Sequence, residues 1–203
     1  MSVIDRIHGG YVFRRRVRVL SGLLAKLIPS GTTVLDVGCG DGLIAHLISQ
    51  QRSDVQVQGI DVLIRPQTHV PVVQFDGQTI PHGDATFDVV MFVDVLHHTE
   101  DPMVLLREAA RVARRAIVIK DHTCNGFLAG PTLRFMDWVG NARHGVVLPY
   151  NYWPEAQWAK AFAELGWRMA AQEKRLNLYP WPASLCFDRA LHFAARMEKN
   201  TSK

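Results

Sequence analysis

Apolar positions along the chain change their period several times, and each change marks an element. Leu20, Leu23, Leu24 and Leu27 recur at i, i+3, i+4 and i+7, one face of a helix that Pro29-Ser30-Gly31 ends. Thr33 to Val37 reads as a buried strand, and Leu43, Ile44, Leu47 and Ile48 give the following helix its apolar stripe. Val55, Val57 and Ile60 alternate with polar residues as a second strand ending at Asp61, and Val72 to Phe75 is a short third strand ending at Asp76. Phe87 to Val95 is almost unbroken apolar, the pattern of a strand buried on both faces. Asp101-Pro102 predicts the cap and first turn of a helix reaching about Arg114, and Ala116 to Lys120 a fifth strand. Strands alternating with helices predict a parallel sheet with helices on both faces.

The last third changes character. Pro131 to Gly140 predicts a short helix with Leu133, Met136 and Val139 on one side. Pro154 opens another, carrying Trp158, Phe162 and Leu165 and stopped by Gly166, and final strands are expected over Trp167 to Leu178 and Cys186 to Met197. This organisation predicts a single domain over 1–203: an N-terminal helical segment (1–30), a ligand-binding core (31–122), a lid over the cleft (123–153), and a C-terminal helix with strands (154–203).

Composition narrows the class. The 203 residues are 48% hydrophobic, enough for one sizeable core. A formal net charge of +4 is far below that of a dedicated nucleic-acid binder, so no DNA partner is expected and an RNA partner is disfavoured. The arginines at 14, 15, 16 and 18 read as a solvated helix face. Cys39, Cys124 and Cys186 form no C-x-x-C pair, so neither a disulfide framework nor a metal site is expected. The start of the chain lacks a signal-peptide pattern, and no apolar run is long enough to span a membrane. The expectation is a cytoplasmic protein, monomer or homodimer, with peripheral membrane contact left open.

The informative chemistry lies where the first strand runs into Gly38-x-Gly40-x-Gly42 and then a helix. Glycines permit a tight turn and close ligand approach, and the helix start offers unpaired N–H groups. The spacing is not the dinucleotide G-x-G-x-x-G, and no phosphate-binding G-x-x-x-x-G-K-[ST] occurs. Asp36 begins the turn and Asp41 lies within it, a setting that repels pyrophosphate and suits a cation. Asp61, nineteen residues after Gly42, is placed for paired ribose hydroxyls, and Asp76 for an adenine amino group.

With these residues, and with Gly59-Ile60-Asp61, Phe75-Asp76-Gly77, Thr86 to Val90 and Leu96 to Pro102, the chain resembles the class I S-adenosylmethionine-dependent methyltransferases, in particular the small-molecule group called methyltransferase type 11. The resemblance covers roughly residues 30 to 122. It implies an α/β, Rossmann-like fold, a seven-stranded, mostly parallel sheet with its last strand antiparallel. It also implies S-adenosyl-L-methionine as cofactor, with S-adenosyl-L-homocysteine as product. By resemblance, Asp36, Gly38, Cys39, Gly40 and Gly42 meet the methionine part, Asp61 and Val62 the ribose, Asp76 and Gly77 the adenine, and Val93 the far side. The family's usual Pro-Gly-Gly-like turn before the fifth strand is replaced by Arg111 to Ala116.

Methyl transfer from a sulfonium is an in-line displacement that needs a base only where the acceptor loses a proton. His97 and His98 after the fourth strand, and His122 after the fifth, are the candidates, against the alternative that they only pack and hydrogen-bond. Asp94 and Asp121 are too few for a hard-cation site. Trp138, Tyr150, Asn151 and Tyr152 are the expected substrate-facing residues of the aromatic lid, with Asn141 and His144 nearby. The favoured expectation is O- or C-methylation of an aromatic, polyketide-like or lipid-like molecule. A cofactor-binding regulatory subunit without turnover, and an RNA or protein methyltransferase, are the alternatives.

Overall fold

The computed structural model describes residues 3–141 and 149–199; residues 142–148 of the expected lid (123–153), with His144, lie outside them. Helix α1 (Val3–Leu27) leads to β1 (Thr33–Val37), α2 (Leu43–Gln51), β2 (Gln56–Asp61), β3 (Val72–Gln74) and β4 (Phe87–Val93). A single 3₁₀ turn (Leu96–His98) precedes α3 (Pro102–Val112) and β5 (Ala113–His122). There follow α4 (Ala129–Asn141), α5 (Glu155–Glu164), β6 (Trp167–Glu173), α6 (Ser184–Phe187) and β7 (His192–Lys199).

The seven strands lie in the order β3-β2-β1-β4-β5-β7-β6, all parallel except β7, which pairs antiparallel with both β5 and β6. Alternate side chains of the central strands feed two cores, as the pleat requires. Val34, Val89, Met91, Ala116 and Val118 pack with Leu20, Leu24 and Ile28 and with Ile48 of α2. Leu35, Val90, Phe92, Ile117 and Ile119 pack on the other face with Leu105, Leu106 and Ala109 of α3 and Trp158 and Phe162 of α5. The near-continuous apolar run of β4 is the consequence of covering on both faces.

Three boundaries differ from expectation. Helix α3 ends at Val112 and β5 starts at once: the Ala113 N–H bonds Ala109 O, and Phe87 pairs with Ala113. No loop intervenes, so no glycine turn is needed there. Strand β6 ends at Glu173, and Cys186 sits in the short α6 rather than in a strand. Pro180 and Pro182 cannot donate to a ladder, and the Asp188 carboxylate takes the N–H groups of Leu178 and Tyr179 instead, each at 3.0 Å. Among the described residues no helix is long and apolar enough to cross a membrane.

The order of strands reverses between β1 and β4, which places a crevice outside their carboxyl ends.

Candidate functional site: a glycine cradle facing a histidine cluster

The β1–α2 turn forms one wall of the crevice. Its shape is fixed from behind: Gly38 and Cys39 donate to Ile60 O at 2.8 and 3.2 Å, and Gly40 N donates to Asp61 Oδ2 at 2.8 Å. Gly38 has φ +74°, and a Cβ there would lie 2.6 Å from Val95 Cγ2, so only glycine allows the loop after β4 to close on the turn. Gly40 has φ +61° and open space where a Cβ would be. Asp61 also accepts from Leu63 N at 2.9 Å, which locks its carboxylate at the cavity edge.

A cavity of about 630 Å³ opens beside this turn, and Gly38, Gly40, Asp61, Val62, Asp76 and Gly77 line it. Six of the ten residues expected to bind the cofactor are thereby brought together. Asp36 lies just beneath, buried, with Oδ1 lacking any hydrogen-bond partner. Burial, reinforced by the negative charge of Asp61, pushes its carboxyl up to about 7. An unpaired buried carboxyl under an open glycine cradle fits a ligand that brings positive charge. Burial likewise pushes the Cys39 thiol up, so it is no thiolate nucleophile. Asp76 is exposed and accepts from Gln78 N and Thr79 N, both at 2.7 Å, and these backbone bonds hold it below the usual carboxylate range. Gly42 faces Val70 and Val93 is half-buried in the core; neither lines the cavity.

The opposite wall comes from the 3₁₀ turn after β4. His98 lines the cavity, and its Nδ1 is buried with no hydrogen-bond partner. His97 turns inward and is almost wholly buried. Its Nδ1 lies 2.6 Å from Asp121 Oδ1, while Asp121 also accepts from Leu96 N at 3.0 Å and His122 N at 2.7 Å. Its Nε2 lies 3.3 Å from Asp137 Oδ2 on α4, the oxygen to which the Tyr152 hydroxyl donates. Burial alone would lower the His97 imidazole; the Asp121 and Asp137 carboxylates outweigh it and bring it up to about 10. His98 goes the other way, lowered by burial and then by the charge of His97. His122 is walled in: burial and Lys120 lower it well below the usual value, and it does not line the cavity.

Beneath the cluster lies an ion group that the sequence pattern did not reveal. Asp94, at φ +57° after β4, is paired with the fully buried Lys120 and with Arg16 of α1. Burial would raise its carboxyl, yet Lys120 and Arg16 hold it well below the usual range. Arg16 therefore does not belong to a solvated face, and Arg15 donates to Asn177 O at 3.1 Å; Arg14 and Arg18 remain exposed.

The residues expected to face the substrate serve other contacts. The Asn151 side chain donates to Thr99 O and Glu100 O at 3.1 and 3.0 Å, and its backbone N–H to His97 O at 3.2 Å. Tyr152 stacks on His97, with ring centroids 5.5 Å apart, and Tyr150 lies under the Arg134 guanidinium at 5.4 Å. Trp138 is exposed. None of the four lines the cavity. Asp137 escaped the sequence reading although a signal existed: a carboxylate four residues after Leu133, on the buried stripe of an apolar helix, needs a partner inside.

Comparison with known proteins places this geometry in context. A family model described as "Methyltransferase domain" matches residues 9–172. The 27-O-demethylrifamycin SV methyltransferase of Amycolatopsis mediterranei is 30% identical over 131 residues, 54% of this chain and 48% of that protein. An uncharacterized methyltransferase of Mycobacterium tuberculosis is 40% identical over 92 residues, 41% of this chain and 47% of that protein. The chain thus spans half or less of the length of the curated relatives it matches. Among solved structures, the S-adenosylmethionine-dependent methyltransferase of Mesorhizobium loti superposes with a TM-score of 0.65 at 17% identity, covering 88% of this chain and 96% of that one.

Proposed function

Since the chain belongs to the methyltransferase domain family, whose fold implies S-adenosylmethionine as cofactor, we propose that it methylates an oxygen or carbon atom of an aromatic, polyketide-like or lipid-like small molecule. The observation that carries this reading is the buried, unpartnered Asp36 carboxyl beneath the open Gly40 cradle, at one edge of a cavity that His98 closes at the other.

The cofactor supplies a methyl group activated on a cationic sulfur. Asp36 and the turn at Gly38 and Gly40 would hold its amino-acid part; Asp61, fixed by Gly40 N and Leu63 N, would offer lone pairs to ribose hydroxyls, and Asp76 and Gly77 would border the base. The acceptor then lies on the His98 side. Residues on that side would present an acceptor lone pair to the methyl group that a bound cofactor would supply. A hydroxyl acceptor also gives up its proton at this histidine end. Proximity and alignment supply most of the acceleration. His97, bound between two carboxylates, fixes the turn that carries His98, and His122 packs behind both.

The names of the relatives, a demethylrifamycin methyltransferase and a ubiquinone biosynthesis O-methyltransferase, favour an oxygen acceptor on a bulky ring system. An RNA substrate is the weaker reading, because Arg15 and Arg16 are engaged within the fold. Incubation with cofactor labelled in its methyl group and a panel of phenols, hydroquinones and polyketide alcohols tests the proposal. Transfer to ring hydroxyls is expected; no transfer to any panel member, with cofactor demonstrably bound, would sink it.

A further inference from the structure

We propose that His97, His98 and Asp137 form a binding site for a divalent transition-metal ion of the zinc class, its remaining coordination position open to the cavity. One ring nitrogen of each histidine and one carboxylate oxygen of Asp137 lie within 4.8 Å of one another.

Three features point to an ion rather than to packing alone. His97 Nε2 is buried and faces its ion-pair partner Asp137 Oδ2 at 3.3 Å, longer than the usual N–H···O range of about 2.7–3.2 Å. Ligand bonds of about 2.0–2.1 Å at tetrahedral angles set neighbouring ligand atoms about 3.3 Å apart, so this pair already has the spacing of one edge of a metal site. His98, whose Nδ1 is buried and without a hydrogen bond, supplies the third ligand from a ring nitrogen within the same 4.8 Å group.

The second feature is behind His97. Its Nδ1 is held by Asp121 at 2.6 Å, and Asp121 is itself fixed by Leu96 N and His122 N. A carboxylate on the far nitrogen of a metal-binding histidine orients the ring, sets the tautomer and strengthens the ligand. The Tyr152 hydroxyl donates to Asp137 Oδ2 and so holds that carboxylate in place.

The donor set gives the third. Two imidazoles and one carboxylate suit zinc, cobalt(II) or iron(II), not magnesium or calcium, which require oxygen ligands. No metal motif is visible in the chain because the adjacent His97 and His98 find their third ligand only in Asp137 of α4, without cysteine pairs. For its chemical role the site rests on the functional reading above: of its three ligands His98 lines the cavity, so an acceptor hydroxyl reaching the ion from that side would lose its proton more easily.

The test is cobalt(II) titration of the full chain after chelator treatment, followed by visible absorption and displacement with zinc. One equivalent is expected to bind with an absorption stronger than that of the aquo ion. His98→Gln and Asp137→Asn should abolish that band, and Asp121→Asn should weaken binding by about 10–100-fold. Thermal melting and cofactor binding establish that each variant is folded. His46→Gln provides the contrast, since His46 and His69 form a surface pair with ring centroids 5.8 Å apart. No band at one equivalent, a band that persists in folded His98→Gln and Asp137→Asn, or a band lost only in His46→Gln would each overturn the proposal. The readout uses no acceptor, so a failure of methyl transfer and a failure of metal binding are separate results.

Discussion

At the scale of single residues, the site is built on charges placed where water cannot reach them. Asp36 is the sharpest case. Its carboxyl titrates at about 7 in the ligand-free fold because burial and Asp61 both disfavour the anion. A cationic cofactor favours the anion, so binding below that pH must expel a proton. Affinity for S-adenosylmethionine is therefore expected to fall about tenfold per unit as pH drops below 7, and to level off above it. Calorimetry across pH should show this slope in the native chain and its loss, with weaker binding throughout, in Asp36→Asn. The stability sign is the reverse. The folded carboxyl titrates above its unfolded value, so the fold holds the extra proton between about pH 4 and 7 and loses stability as pH rises through that window. Without cofactor at pH 8, Asp36→Asn should melt higher, by up to about 4 kcal/mol of stability; an unchanged melting point would contradict the assignment. Lys120 presents the opposite case, a buried cation whose loss leaves Asp94 with Arg16 and a neutral His122. Lys120→Met should cost about 3 kcal/mol, measured by urea unfolding.

At the scale of elements, the glycine turn separates space from conformation. Gly38 and Gly40 both have positive φ, but only Gly38 is pressed against Val95. Gly40→Ala should cost about 1–2 kcal/mol of strain and lower cofactor affinity through its methyl group in the cavity. Gly38→Ala should cost more, and Val95→Ala on that background should recover part of the loss, which denaturant midpoints of the three variants would reveal. Strands, helices and this turn were legible in the sequence because their signals are local: period, caps and spacing. The far wall was not. Arg16, Asp94 and Lys120 come from α1, the end of β4 and β5, and Asp137 reaches His97 from α4; no local period names those partners. The aromatic segment was legible as a cluster but not in its orientation. Asn151, expected to face substrate, spends both side-chain hydrogens on Thr99 O and Glu100 O. Asn151→Asp would retain the shape but repel both carbonyls, and should loosen the His97–His98 turn. Faster amide exchange at His98 and Thr99, with the sheet unaffected, is the expected signature.

At the scale of the molecule, the strand order made the site before any side chain did. Reversal between β1 and β4 opens the crevice, and the antiparallel β7 brings His192 against Lys120 beneath it, at 3.5 Å. The fold thus stores unfavourable charge at the crevice, the unpaired Asp36 above all, that a bound cofactor relieves. A ligand that binds only the folded state stabilises it by mass action, about 2.7 kcal/mol at a concentration one hundred times its Kd. For a chain of this size each kcal/mol raises Tm by about 2–4 °C, so saturating S-adenosylmethionine should raise it by roughly 5–11 °C. The demethylated product lacks the positive sulfur and should give a smaller shift at equal molar excess over the cofactor's Kd, and the difference should vanish in Asp36→Asn. Equal shifts for the two ligands in the native chain would mean that the crevice reads the nucleoside alone, and that its buried acid has another purpose.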